Sequence, residues 1–361
     1  MQTDVRRVGR GHDVLAILNA NARKTTDAAV AALRSVLPAA DVVHTRCIEE
    51  VEDTLAKHDV ASRPLLLCGG GDGTVSALLS RLQQVDQTPI GVLRLGTGNG
   101  LANVLGSGSY RQLVDRLPGL PLPPPTRHFD LVDVEGRRSH FAGTGWDARI
   151  LTDYRRNFSE RTGRARRFHE SFAGYLWALF TITIPEEHKL LKAEGQPEVE
   201  ITNLGPPAMR AGADGKPVPV IGGSTGSVIY RGPSSVASCA TSPEWGFRFR
   251  AHPNAHALPG WLNLRVYDRP ILEAVRNMRA LWRGKHPQPG MHDMFVQRVR
   301  MRFSRPVPFQ IGGDPVGMRE EVEMSIAPLG VQLVDWPTAF AAAPQRGIPS
   351  GQSSSRAAVV A

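Results

Sequence analysis

Two short stretches hold the residue types best suited to chemistry: Cys68-Gly-Gly-Gly-Asp-Gly-Thr74 and Leu95-Gly-Thr-Gly-Asn-Gly100. Glycine lets the backbone come close to an anion and tolerates positive φ. Amides at a strand-to-helix turn face a phosphate well. Thr74 and Thr97 can donate to phosphate oxygens, and Asn99 can do so or orient its loop. Asp72 gains nothing beside a phosphate unless it holds a metal, a ribose hydroxyl or the loop's own amides. One such loop is also the ordinary outcome of a tight turn. Two of them at one sheet edge point to a shared ligand beyond the carboxyl ends of the strands.

The flanking residues supply that edge. Asp13 to Leu18, Asp41 to His44, Arg63 to Cys68 and Pro89 to Leu95 read as strands; Thr26 to Leu37, Glu49 to His58 and Val75 to Gln84 read as helices. Strand, turn and helix in succession predict a parallel sheet flanked by helices. Five prolines between Pro118 and Pro125 break this rhythm and set a domain boundary there. Beyond it, short alternating segments predict a β-rich second domain of two packed sheets. The segments include Ser139 to Gly143, Gly246 to Arg250, Leu262 to Tyr267, Val296 to Phe303, Val307 to Ile311 and Glu321 to Ile326. Helices are expected over Glu170 to Thr183 and Ile271 to Arg283. The expected organisation is a flexible start over 1–12, an α/β domain over 13–125, a β-rich domain over 126–336 and a disordered tail over 337–361.

At 361 residues the chain is long enough for two domains. Its 43 Lys and Arg against 34 Asp and Glu leave a formal charge of +9, which favours anionic partners. Cys47, Cys68 and Cys239 form neither a disulfide framework nor a zinc pattern, which fits a reducing cytosol. The longest greasy stretch, Phe172 to Ile184, is too short to span a bilayer. Six arginines between Tyr154 and His169 (155, 156, 161, 164, 166 and 167) face one acid, Glu160. Beside that greasy stretch they suit docking on anionic lipid; the plainer reading is a solvated loop beside a packed helix. A second basic region runs from Arg265 to Arg305, but no nucleic-acid-binding motif accompanies it.

Neither glycine loop fits the dinucleotide fingerprint or the Walker P-loop. The pair Gly70-Gly-Asp-Gly-Thr74 and Leu95-Gly-Thr-Gly-Asn99 resembles the diacylglycerol kinase catalytic-domain family, which includes bacterial lipid kinases and sphingosine kinases and is related to the NAD kinases. The likeness runs from about Val14 to Asp335. Leu18-Asn-Ala-Asn21 is similar to the family's first-strand Asn-Pro turn, with Ala20 in place of proline. Phe141-Ala-Gly-Thr-Gly-Trp-Asp-Ala148 is similar to its Gly-x-Gly-Phe-Asp-Ala turn. Trp245 to Phe249 and Gly260 to Leu264 are similar to later glycine-aromatic and turn motifs.

The resemblance implies an α/β fold: an N-terminal parallel-sheet nucleotide-binding domain followed by a β-sandwich second domain. It implies ATP with Mg²⁺ and transfer of the γ-phosphate to a hydroxyl of diacylglycerol or a related lipid. A soluble acceptor, as in NAD kinases, and a catalytically impaired binder of nucleotide or lipid are the alternatives. Nucleotide contacts fall on Asn19, Asn21, Thr45, Gly70, Gly71, Asp72, Gly73, Thr74, Gly96, Thr97, Gly98 and Asn99. The family's Asp-Gly-Glu corresponds to Gly312-Gly313-Asp314, which leaves Asp314 as the candidate general base and also reads as a plain hairpin turn. Pro259 and Asn263 replace acids that other members carry, so no protein-held metal is assigned. The expected setting is the cytoplasm, with peripheral contact at the inner face of an anionic membrane and no nucleic-acid partner.

Overall fold

The computed structural model describes residues 6–82 and 87–341. The first unit follows the strand-and-helix rhythm of the sequence: β1 (Val14–Asn19), α1 (Asp27–Val36), β2 (Asp41–Thr45), α2 (Ile48–Lys57), β3 (Leu65–Gly70), α3 (Asp72–Leu79), β4 (Ile90–Arg94), α4 (Gly100–Val104) and α5 (Tyr110–Arg116). The Thr26 side chain caps α1 by accepting from the Ala29 amide. Strands β1 and β3 are buried nearly throughout, as a parallel sheet covered on both faces requires. The order is β2-β1-β3-β4, extended by Val331–Val334 and then by β5 (Thr126–Phe129).

That completion is non-local. Val331–Val334 pairs parallel to β4 and antiparallel to β5, so the chain returns to the first sheet after building the second. The boundary expected at 125 therefore falls just before a strand of the first sheet. The helix Trp336–Ala341 then buries Trp336 and Phe340 against that core, where a disordered tail was expected from 337; residues 342–361 lie outside the described residues. Val8, expected in a flexible start, is buried and donates its amide to the Leu120 carbonyl.

The second unit is antiparallel. It includes β6 (Val132–Val134), β7 (Arg137–Ser139) and β8 (Phe141–Gly145), and among the described residues twelve strands form its one hydrogen-bonded sheet. The long strand Arg298–Ile311 joins its parts: Val299 to Phe303 pair with Glu198–Asn203, and Phe309 to Ile311 pair with β8. Register breaks between Arg302 and Val307, where Pro306 removes a ladder donor. One apolar cluster containing Ile201, Leu264, Met294 and Met301 fills the interior.

One expectation fails here and another is extended. Gly246 to Arg250 is no strand: Phe247 and Arg248 have left-handed φ of 50° and 63°, and Gly246 bridges Phe249 across a tight turn. The residues after β8 form a 14-residue helix, α6 (Trp146–Ser159), followed by α7 (Gly163–His169), α8 (Phe172–Ala178), a π-helical turn (Leu179–Thr183) and α9 (Ile184–Glu194). The expected helix over 170–183 thus continues to 194.

Candidate functional site

Both glycine loops open at the carboxyl edge of the first sheet, after β3 and β4, and they touch. A Cβ on Gly96 would lie 2.2 Å from the Gly71 Cα, so glycine is required there for loop-to-loop contact. Asp72 ties the two loops together: its carboxylate accepts from the Gly100 and Leu101 amides at 2.9 and 3.0 Å, which caps α4. Asn99, at φ 53°, closes its own loop by donating to the Gly96 carbonyl at 2.8 Å and accepting from the Gly96 amide at 3.1 Å. Of the roles open to these two side chains, the structure shows loop organisation. Asn19 Nδ2 donates to Thr74 Oγ1 at 2.8 Å, which leaves the Thr74 hydroxyl proton free to point elsewhere. Asn21 donates to the Arg46 carbonyl.

These loops form one wall of a cleft of about 470 Å³ between the two units, a size ordinary for a small-molecule site. Asn19, Asn21, Thr45, Gly71, Asp72, Gly73, Thr74, Gly96, Thr97 and Gly98 all line it. Gly70 and Asn99 sit behind the wall; the Gly70 carbonyl accepts from the Leu95 and Gly96 amides. Arg23 and Arg46 bring positive charge to the same side.

Asp314 faces them from the second unit. It opens the strand Asp314–Ile326 after a two-glycine turn in which Gly312 and Gly313 have φ of 59° and 86°, the form that suits a twisted hairpin. The turn and the cleft position are thus the same feature. A Cβ on Gly73, in the first turn of α3, would come within 2.7 Å of Asp314 Oδ1. Arg155 of α6, in the same unit, pairs with the same carboxylate. Gly312 has no room for an acid: a Cβ there would lie 2.3 Å from Ser76 Oγ and 2.5 Å from Ser139 Oγ, hydroxyls already hydrogen-bonded to each other at 2.9 Å.

A buried carboxylate that the sequence reading left without a role, Asp147, also lines the cleft. Its Oδ2 accepts weakly from Gln310 at 3.4 Å and its Oδ1 has no partner. Burial pushes its carboxyl up to about 7, against the opposing hydrogen bonds from the Ala148 amide and Gln310. Around it, Tyr154, Phe158, Tyr175, Phe247 and Trp282 form an aromatic wall. The positions 147, 151, 154, 155 and 158 lie on one face of α6, a periodicity visible in the sequence once that segment is recognised as a helix.

Asn263 is fully buried, with its amide donating to Asp293 and the Met294 carbonyl and its oxygen against His252. Among the described residues no three His, Cys, Asp or Glu side chains are grouped to hold a metal ion. Of the carboxylates nearest the glycine loops, Asp314 is paired with Arg155 and Asp72 accepts from two backbone amides.

Residues 13–120 match the diacylglycerol kinase catalytic domain. No curated protein matches the chain. A solved structure described as a "putative diacylglycerol kinase from Bacillus anthracis str. Sterne" aligns at 13% identity and a TM-score of 0.59, covering 92% of this chain and 97% of that one. Another from the same organism, described as a diacylglycerol kinase, aligns at 12% identity and a TM-score of 0.54, covering 92% and 98%. At these identities the likeness is one of fold: an α/β unit with a mostly parallel sheet followed by an antiparallel one.

Proposed function

We propose that this chain, whose residues 13–120 match the diacylglycerol kinase catalytic domain, transfers the γ-phosphate of ATP, taken up with Mg²⁺, to a hydroxyl of diacylglycerol or a related lipid at the surface of an anionic membrane. The observation that carries this reading is the position of Asp314, beside Gly73 and opposite both glycine loops. In this reading the triphosphate lies along Gly71 to Thr74 and Gly96 to Gly98, within reach of Thr74, Arg23 and Arg46. The acceptor enters from the aromatic side with its hydroxyl at Asp314. The carboxylate takes the hydroxyl proton as the oxygen attacks phosphorus and ADP leaves. Arg155, paired with Asp314 in the free protein, is placed to meet charge on the transferring group. Such a reaction needs positioning and charge stabilisation more than covalent chemistry.

Mg²⁺ belongs in this account to the incoming nucleotide, held by phosphate oxygens and water as that ion prefers. The filled space at Gly312 favours a second reading, a nucleotide- or lipid-binding protein without turnover, because a usual acid has no place there. Incubation with γ-labelled ATP, Mg²⁺ and a lipid extract separates the two. Label in the organic phase supports the kinase. ATP binding without transfer, with soluble alcohols also unlabelled, favours the silent binder.

A further inference from the structure

We propose that α7, α8 and the π-helical turn after them form the face on which this protein rests against an anionic bilayer, and that this face opens directly into the cleft. The docking surface stands on its own observations; its use to deliver an acceptor rests on the lipid-kinase reading.

Ser171 to Ile184 contains no charged residue. Phe168, Phe172, Trp177 and Phe180 are 48%, 37%, 37% and 53% exposed, four large aromatics within one short helical strap. Phe172 and Phe180 fall eight residues apart on one helical row, with Trp177 on the adjoining row. Clustered apolar surface of this kind marks an interaction site, whereas scattered exposed residues do not. The strap also carries Arg164, Arg166 and Arg167, all exposed. Arg166 pairs with Glu170, the only acid between 161 and 185. Arg164 and Arg167 have no ion-pair partner among the described residues.

Aromatic residues beside unpaired arginines fit the headgroup region of a negatively charged membrane. The two groups are held in register. Gly174 packs so tightly on the His169 backbone that a Cβ would lie 2.3 Å from its carbonyl oxygen, and the His169 ring meets Trp177 edge-on at 5.0 Å. Among the described residues no helix is long and apolar enough to cross a membrane, so this contact lies along the surface.

The face continues into the cleft. The Phe172 ring lies 4.7 Å from Phe247 and 5.9 Å from Trp282, both of which line the cleft, and Tyr175 lines it from the same helix as Phe172. A hydrocarbon chain leaving the bilayer at Phe172 therefore meets aromatic surface up to the site.

The test is sedimentation with phosphatidylcholine vesicles with and without phosphatidylglycerol, no nucleotide present. The full chain should bind only the anionic vesicles. The pair Phe168→Ser/Phe180→Ser should weaken that binding at least about tenfold. The pair Arg164→Glu/Arg167→Glu should weaken it at least about twentyfold, at roughly fivefold per lost cation. Both variants should phosphorylate detergent-dispersed lipid as the parent does, if the parent does so; vesicle binding without any turnover would spare the docking face and refute only the kinase reading. Absence of wild-type binding, equal binding to neutral vesicles, or full binding by both variants would overturn the proposal. So would a dimer on gel filtration that Phe168→Ser/Phe180→Ser dissociates, which would assign the face to self-association.

Discussion

Replacing Gly73 by alanine separates the placement of Asp314 from the stability of the fold. Gly73 lies within α3 with no positive φ, so alanine suits its backbone and favours the helix by up to about 1 kcal/mol. Its new methyl would lie 2.7 Å from Asp314 Oδ1 and 3.0 Å from Cγ, against an ordinary contact starting at 3.4 Å. The obstructed atoms end a side chain, so the carboxylate gives way by about 0.7 Å and the backbone stays put. A shift of that order in a reacting group costs about 10- to 100-fold in rate. The expected result is kcat/KM for lipid phosphorylation down by that factor, ATP affinity within about threefold of the parent, and a Tm unchanged or raised. Activity within about twofold of wild type would refute the reasoning, because it would mean that the carboxylate's position against α3 does not govern turnover. A Tm fall of several degrees would refute it differently, by showing that the methyl meets something unable to move.

Gly96→Ala should behave in the opposite way: its methyl meets the Gly71 backbone at 2.2 Å, so calorimetry should show a loss of about 1–3 kcal/mol together with ATP binding weakened at least tenfold, and a stable variant that binds ATP normally would contradict the loop-to-loop contact. Asp147→Asn bears on pH. With its folded carboxyl raised to about 7 against roughly 3.9 in an unfolded chain, Asp147 keeps a proton in the folded state that the unfolded state has lost, so its contribution to stability falls as pH rises through that window and is fully unfavourable above it. The Tm advantage of Asp147→Asn over wild type should therefore grow from pH 5 to pH 8; a constant or shrinking difference would show that the group is not held protonated by burial.

The parts of the fold legible in the sequence are those set by neighbours along the chain. The first four strands are short runs of apolar residues, β3 and β4 are closed by glycine turns, and Thr26 announces α1 through a local cap. What stayed hidden depends on distant partners. Val331–Val334 is an ordinary apolar tetrapeptide until β4 and β5 accept it. The alternation of Phe and Arg over Gly246 to Arg250 imitates a strand, yet two left-handed residues fold it into a turn. Helix α6 escaped because its buried positions include polar residues, Asp147 at the cleft, Asp153 bonded to Thr183 and Asn157 bonded to His169, where apolar residues would be expected. In the site, the glycine loops and Asp314 could be read directly. The pairing of Arg155 with Asp314 could not, because the two lie 159 positions apart and meet only when α6 packs beside the hairpin.

The most direct test of the account is γ-labelled ATP·Mg²⁺ turnover on lipid by wild type and Asp314→Asn, with ATP affinity measured in parallel. The account predicts that the asparagine variant binds ATP normally while labelled lipid falls by about 100-fold or more, as loss of a general base requires. Wild-type transfer that persists undiminished in Asp314→Asn would contradict it.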